Sequence, residues 1–171
     1  MNLKSVFILF FICTCGGAAI LNFDSIEKNF SSFKGERDGA VAIGSYDPNA
    51  IKSKEKQSHT VFYELTIHIK EPVMELAPGE DGLPDEKGKK HAHECKNRVL
   101  SAIAKHGSVL YVANYFWFNQ FIIFTYIQEN HANAMAVELN KIMDEFPVRC
   151  HLATGLRNDP NWEAMDFFKQ K

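Results

Sequence analysis

The chain has 171 residues, of which 19 are lysine or arginine and 21 are aspartate or glutamate, so its formal net charge at pH 7 is −2. The basic residues are scattered and form no basic stripe, which argues against nucleic-acid binding. Neither a GxGxxG motif nor a P-loop motif is present, so no phosphate-binding loop is predicted.

The N-terminus has the pattern of a secretory signal peptide. Lys4 supplies a short positive end, residues 6–12 form an unbroken apolar run, and the residues up to Ala19 are small. The apolar run is too short to cross a bilayer, which requires about 20 residues. We predict that residues 1–19 are cleaved after Ala19 and that the protein is exported, either to the periplasm or out of the cell. About 150 residues then remain, enough for one domain with its own core.

Cys15 leaves a second form of processing open. Residues 12–15 resemble the recognition box of a bacterial lipoprotein, in which Cys15 would become the lipidated first residue. Thr14 precedes the cysteine where a smaller residue is usual, so cleavage after Ala19 is the favoured interpretation. Attachment to the membrane is expected only if Cys15 is lipidated.

Residues 20–58 contain several glycines, a pair of serines and the turn-like Asp47-Pro48-Asn49. We interpret this segment as a linker or extended N-terminal arm, with one short strand at Ala40–Ile43. The functional alternative is an arm that binds a partner.

Alternating apolar residues predict a strand from His59 to Lys70, with one face in the core and the other, which includes Phe62, on the outer surface. The predicted core residues are Val61, Tyr63, Leu65, Ile67 and Ile69. Residues 71–90 contain three prolines and are interpreted as a loop. A helix follows from about Lys90 to His106, and Gly107 ends it.

The rest of the chain predicts a hairpin, a helix and a final strand. The strand segments are rich in β-branched and aromatic residues, and the helix has apolar residues at a period near 3.6. The elements are the strand 108–115, a turn near residues 119–120, the strand 121–128, the helix 130–146 and the strand 149–156. The predicted buried face of the helix consists of Met135, Leu139, Ile142 and Phe146.

The resulting order of strand, helix, strand, strand, helix, strand predicts an α+β fold. Its simplest closure is a ferredoxin-like sandwich (βαββαβ) over residues 59–171, with an antiparallel sheet of strand order 4-1-3-2 and both helices on one face. The tail from Asp159 to Lys171 should cross back over the sheet or its edge. Its expected anchors are Trp162, Met165, Phe167 and Phe168.

Cys95 and Cys150 are the two cysteines that remain after cleavage at Ala19. In an exported protein such a pair is a disulfide candidate. The predicted fold places the start of the first helix and the start of the last strand at the same end of the sheet. The bridge would close a loop of about 55 residues and stabilise the fold by about 4 kcal/mol in the chain-entropy model. Two separate buried thiols are the alternative.

The final third of the chain carries a recognisable series of short segments. They are Phe124-Thr125-Tyr126, then Ala136, Leu139 and Asn140 in the helix, and Asp159-Pro160-Asn161-Trp162 followed by Phe167-Phe168. In this order they resemble the family of domains of unknown function numbered 695, which is grouped with the RraB regulators of ribonuclease E. The resemblance implies a ferredoxin-like fold and no known enzymatic activity. Regulation of a cytosolic ribonuclease is not expected of an exported protein.

His91, His93 and Cys95 form the local cluster that most invites a chemical interpretation, because imidazole and thiolate are ligands for zinc or copper. On a helix, however, His91 and Cys95 share a face and His93 points elsewhere. Solvated surface histidines are therefore the favoured interpretation. No serine lies in a Gly-x-Ser-x-Gly turn, and we predict neither catalysis nor a cofactor.

Two functional hypotheses follow. The first is a non-catalytic interaction module of the cell envelope that binds an unknown protein partner, which could be a second copy of itself. Its binding surface would be the open face of the sheet or its edge, where clustered aromatic residues are expected: Phe62, Trp117, Phe118 and Tyr126. The alternative is that the C-terminal tail covers these residues. The second is a metal-binding protein that uses His91, His93 and Cys95.

Overall fold

One antiparallel sheet of six strands organises the computed structural model of this protein, which describes residues 23–69, 82–145 and 150–169. The strands are β1 (Ser31–Arg37), β2 (Ala40–Tyr46), β3 (Val61–Ile69), β4 (Val109–Trp117), β5 (Gln120–Ile127) and β6 (Cys150–Asn158). Their order across the sheet is β1-β2-β4-β5-β3-β6. The predicted α+β class is confirmed.

Two long helices, α2 (Glu86–Ile103) and α3 (Ala132–Glu145), connect strands of this sheet, and α1 (Asp24–Glu27) and α4 (Asp166–Lys169) are short. Helix α2 begins earlier than predicted because Asp85 caps it, with its Oδ1 accepting the Gly88 N–H at 2.7 Å. Within the described residues, no helix is both long and apolar enough to cross a membrane.

The two long helices and the sheet enclose a hydrophobic core, which we call the helix-side core. The odd-numbered residues of β3 line it, as predicted, because a strand turns alternate side chains to one face. Leu65 and Ile67 are fully buried there, and Val99 and Leu139 reach it from α2 and α3. The predicted apolar periodicity of α3 is correct at Met135, Leu139 and Ile142. The side chain of Phe146 lies outside the described residues.

The C-terminal tail covers a second core on the sheet, which we call the tail-side core. Trp162 and Met165 are fully buried there and Phe168 is 3% exposed, so the predicted crossing of the tail is correct at these three anchors. The indole of Trp162 stacks on the ring of Tyr126 with 3.9 Å between centroids. The side chain of Phe167 lies outside the described residues.

The predicted exposure of Phe62 and Tyr126 is wrong. Phe62 is 3% exposed and Tyr126 is fully buried, because both belong to the tail-side core. A strand covered on both sides buries both of its alternating sets, so the alternation in β3 does not mark a solvent face.

Residues 31–46 differ from the predicted linker, because they form the hairpin β1–β2, which extends the sheet beyond β4. Its turn is Asp38-Gly39, where both residues have positive φ, as a tight two-residue hairpin turn requires. Ala42 is fully buried and Phe33 is 8% exposed, which gives the hairpin an apolar side to pack. The short strand predicted at Ala40–Ile43 therefore continues to Tyr46.

The hairpin β4–β5 turns at Phe118 and Asn119, with Trp117 opposite Gln120. The strands thus include Phe116 and Trp117, which lie beyond the predicted strand 108–115. Phe116 stacks on Phe121 with 4.3 Å between ring centroids and is buried, so packing extends the strand. Phe118 has a φ of 50°, an uncommon conformation for a bulky residue.

Several predictions lie outside the described residues. They concern the signal segment 1–19 with Cys15, and most of the loop predicted over residues 71–90, of which the structure describes residues 82–90. Cleavage, lipidation and the conformation of residues 71–81 stay predictions.

Candidate functional site

The three residues of the metal hypothesis lie on α2 in different surroundings. The Nδ1 of His91 is 3.3 Å from a carboxylate oxygen of Glu94. The ring of His93 packs 4.9 Å from that of Phe121, and Cys95 is 6% exposed in the helix-side core. Within the described residues, no group of three histidine, cysteine, aspartate or glutamate side chains could hold a metal ion.

The predicted pairing of Cys95 with Cys150 depends on which end of the sheet each occupies. Cys150 begins β6 opposite Ile69. The contact of His93 with Phe121 places the first half of α2 over this same end, because Phe121 pairs with Ile67. The side chain of Cys150 lies outside the described residues, so the disulfide stays a prediction.

The exposed part of the predicted aromatic surface is the tip of the β4–β5 hairpin. Phe118 is 46% exposed and Trp117 is partly buried, whereas the other two predicted residues lie in the tail-side core. The guanidinium of Arg37 lies 4.5 Å from the ring centroid of Trp117, whose Nε1 donates to the Arg37 carbonyl at 3.0 Å. Trp117 therefore anchors the β1–β2 hairpin, and Phe118 alone projects from the tip.

The Asp159-Pro160-Asn161-Trp162 motif closes the tail onto the sheet. The buried carboxylate of Asp159 accepts hydrogen bonds from the Tyr126 hydroxyl at 2.7 Å and from the N–H groups of Glu163 and Ala164 at 2.8 and 3.0 Å. Trp162 Nε1 donates to the carbonyl of His59 at 2.8 Å. The motif therefore has a structural role in the fold.

These contacts shift two pKa values. Burial raises the pKa of Asp159, but the hydrogen bonds it accepts outweigh burial, and its pKa falls below the usual value. Burial, together with the hydrogen bond to the Asp159 carboxylate, raises the pKa of Tyr126. The pair is thus held as a carboxylate and a neutral phenol.

A polar hollow of about 650 Å³ lies at the end of the sheet where β3 begins, lined by Gln57, Ser58, Thr60, Gln128, Glu129 and Asn130. The neighbouring His59 is buried, and its Nδ1 lies 3.0 Å from both the Glu55 carbonyl and the Ser58 hydroxyl. Since a carbonyl only accepts hydrogen bonds, Nδ1 carries the proton and cannot act as a base toward Ser58. Burial lowers the pKa of His59. Ser58 and His59 therefore do not form a Ser–His catalytic pair.

The outer edge of β6 is the exposed feature that best fits a binding function. β6 pairs with β3 along all nine of its residues and is the last strand of the sheet as described. Thr154 and Gly155 are exposed, and Leu156 is 50% exposed. An edge strand presents a row of backbone N–H and C=O groups to which another strand can be added.

The hydrogen bonds of β3 show which residues of β6 direct these groups outward. Asp159 N–H donates to the carbonyl of Thr60, directly opposite, at 2.7 Å. Because bonded and non-bonded pairs alternate in an antiparallel ladder, the odd-numbered residues of β6 bond to β3. The outward groups therefore belong to Leu152, Thr154 and Leu156, which are spaced two residues apart.

The other side of β3 leads to the same assignment. Ile69 N–H donates to the carbonyl of Asn119 at 2.9 Å, so the odd-numbered residues of β3 bond to β5. Its even-numbered residues are then left for β6, which agrees with the bond at Thr60. Two independent contacts thus fix the direction of the backbone groups at the edge.

The two edges of the sheet differ in charge. β1, at the far edge, carries Lys34, Glu36 and Arg37, and charged side chains protect an edge from pairing. In β6, residues 150–156 carry no lysine, arginine, aspartate or glutamate, and no proline. Charged side chains therefore protect one edge of the sheet, and residues 150–156 leave the other edge without this protection.

No protein-family model, curated protein or solved structure matches this chain.

Proposed function

We propose that this protein is an exported, non-catalytic interaction module of the cell envelope, and that it acts as a dimer joined along β6. The observation that carries the proposal is the uncharged edge at which Leu152, Thr154 and Leu156 direct their backbone groups outward, with the side chains of Thr154 and Leu156 exposed. Export rests on the signal-peptide pattern of residues 1–19.

A second copy is the occupant that fits this edge, because the outward residues of β6 are self-complementary. A two-fold axis at Thr154 places Thr154 of one copy opposite Thr154 of the other. On each side of the axis, Leu152 of one copy lies opposite Leu156 of the other. All three outward residues then exchange backbone hydrogen bonds, about six in total. A threonine pair stabilises neighbouring strands by roughly 0.2–1 kcal/mol.

The opposite side of the strand also accommodates a close partner. In the same register Ala153 lies opposite Gly155, so small side chains meet next to the axis. The half-exposed Leu156 would be covered by the partner, which removes apolar surface from water. The product is a continuous twelve-stranded sheet built from two six-stranded sheets.

We assign the part of the molecule that contains β3–β6, α2 and α3 to the ferredoxin-like sandwich. The neighbour order β4-β5-β3-β6 and the shared helix-side core of α2 and α3 support this assignment. The resemblance of the C-terminal motif to the domain family numbered 695 points the same way. In this assignment the hairpin β1–β2 is an addition to the sheet.

Thr154→Pro tests the dimer. Proline removes the N–H that faces the open edge, and it is tolerated in an edge strand at such a position. We expect the wild type to sediment as a dimer and Thr154→Pro as a folded monomer.

Ala153→Pro is the matched control, because it removes an N–H that bonds to β3 and should therefore lower the stability of the fold itself. Light scattering on Phe118→Ser separates this proposal from an interface at the hairpin tip. If the wild type is monomeric at all concentrations, or if Phe118→Ser and not Thr154→Pro abolishes the dimer, the proposal for β6 is wrong.

The intact mass of the mature protein tests export and the cysteine pairing together. We expect the mass of the chain that begins at Ile20, two hydrogens lighter than the reduced form. A mass that includes lipid on Cys15 would replace cleavage after Ala19 with lipoprotein processing. A mass unchanged by reductant would rule out the disulfide between Cys95 and Cys150.

A further inference from the structure

The carboxylate of Glu27 in α1 accepts hydrogen bonds from a group of donors on the helix side of the sheet. Oε1 of Glu27 accepts a hydrogen bond from Lys96 Nζ at 2.7 Å, from Asn114 Nδ2 at 3.0 Å and from the hydroxyl of Tyr111. Lys96 lies on α2, and the other two donors lie on β4. Three donors that are distant in sequence from Glu27 thus converge on one oxygen.

Contacts with other elements of the fold position the donors. The amide of Asn114 also donates to Ser45 Oγ at 3.0 Å, which fixes it against β2. Nζ of Lys96 is 5.5 Å from the ring centroid of Tyr111, and the Lys96 side chain is fully buried. A buried ammonium group requires a compensating anion, so this pocket favours a negative charge whatever supplies it.

The segment that supplies the anion is held less firmly than the donors. Helix α1 has four residues, and no side chain caps its N-terminus. Phe23 is buried and meets the ring of Tyr111 edge-on, with 6.4 Å between centroids, but the Glu27 side chain is 18% exposed. The Glu27 side chain is therefore partly open to solvent.

We propose that Lys96, Tyr111 and Asn114 form a carboxylate-binding site that Glu27 fills from within the chain, and that α1 gates it. When α1 lifts, the site takes the carboxylate of a ligand, either a small organic acid or the C-terminus of a peptide. This proposal does not depend on the β6 dimer, because β6 lies three strands away from β4 in the sheet.

The test is to replace the internal carboxylate with an external one. Glu27→Ala removes one CH2–COO⁻ group, which acetate matches in size and charge. In a thermal unfolding series at constant ionic strength, a hundredfold excess of acetate over its Kd should raise the Tm of Glu27→Ala by about 5–10 °C relative to chloride. If the variant is unfolded without acetate, acetate should restore the fold.

The double variant Glu27→Ala/Lys96→Met is the matched control, since it lacks both charges and should respond equally to acetate and chloride. Equal responses of the single variant to the two salts would overturn the site. N-acetylglycine, titrated in the same way, distinguishes the two sources. Tighter binding than acetate identifies a peptide C-terminus, and weaker binding identifies a small acid.

Hydrogen exchange in the wild type tests the gate. The N–H of Phe30 donates to the Glu27 carbonyl at 2.9 Å and reports on α1. Acetate that traps the open form should accelerate its exchange by the factor 1 + [acetate]/Kd, with Kd taken from the Glu27→Ala titration. Unchanged exchange at a concentration that saturates the variant would overturn the gating by α1.

Discussion

At the scale of single residues, the carboxylate of Asp159 accepts three hydrogen bonds, one from Tyr126 in the sheet and two from the N–H groups of Glu163 and Ala164 in the tail. Asp159→Asn keeps the shape but removes the charge that these donors favour. We expect a loss of about 2 kcal/mol in the free energy of unfolding at pH 7, measured with urea.

The pH dependence of this loss follows from the lowered pKa of Asp159. The stabilisation is complete above the ordinary pKa of 3.8 and disappears as the pH falls through the lower folded-state value. The difference between wild type and Asp159→Asn should therefore shrink at acid pH. A difference that is constant from pH 7 to pH 2 would contradict the assigned charge state.

His59 acts in the same direction at higher pH, because burial lowers the pKa of its imidazole. Below the ordinary pKa of 6.5, His59 binds a proton in the unfolded chain but stays neutral in the folded chain until a lower pH. The free energy of unfolding therefore falls as the pH drops from neutral. We expect His59→Asn, which keeps a donor for the Glu55 carbonyl, to lose part of this pH dependence. Urea unfolding at pH 7.5 and 5.5 measures it, and an unchanged slope would contradict the prediction.

The predictions of buried residues were correct where the spacing of apolar residues identifies one buried face of a strand or helix. Alternation identified Leu65 and Ile67, and helical spacing identified Met135 and Leu139, because each set has a single buried side. Phe62 could not be placed in this way, since a tail distant in sequence covers the other side of its strand. The carboxylate site was equally out of reach, because its members are 69 and 87 residues apart from Glu27.

At the scale of elements, the hairpin β1–β2 shows which signal was available. Asp-Gly between two segments that can form strands is among the strongest short-range hairpin signals, and Asp38-Gly39 provides it. The glycines and serines around it favoured a linker instead. Pairing with β4 overrides this weak local preference, because Ala42 and Phe33 gain burial there.

Gly44 provides a test of that pairing. A Cβ at this position would lie 2.0 Å from the backbone oxygen of Asn114 and 2.5 Å from Cβ of Tyr115, so β2 and β4 could not keep their distance. We expect Gly44→Ala to lower the free energy of unfolding by about 3 kcal/mol.

Gly39→Ala is the control in the same hairpin, since a Cβ there meets nothing within 4 Å but must adopt a φ of +77°. That strain costs about 1 kcal/mol. Urea unfolding compares the two variants, and equal small losses would contradict the contact between β2 and β4.

At the scale of the whole molecule, the sequence predicted the class and the general course of the chain. It did not predict that the sheet has six strands, because strand pairing at an edge depends on contacts distant in sequence. The expected binding surface was the open face of the sheet or its edge, and the tail-side core leaves the edge as the better candidate. Which edge is receptive follows from charge, once the order of the strands is known.

The charged outer strand β1 has a consequence for how assembly stops. A protomer with two receptive edges would add copies without limit and grow into filaments. In the proposed dimer, Lys34, Glu36 and Arg37 protect one edge of the described sheet, and residues 150–156 of β6 form the edge that pairs. Each protomer would then join a single partner. Neutralising the charges of β1 would then turn a closed pair into an open-ended polymer.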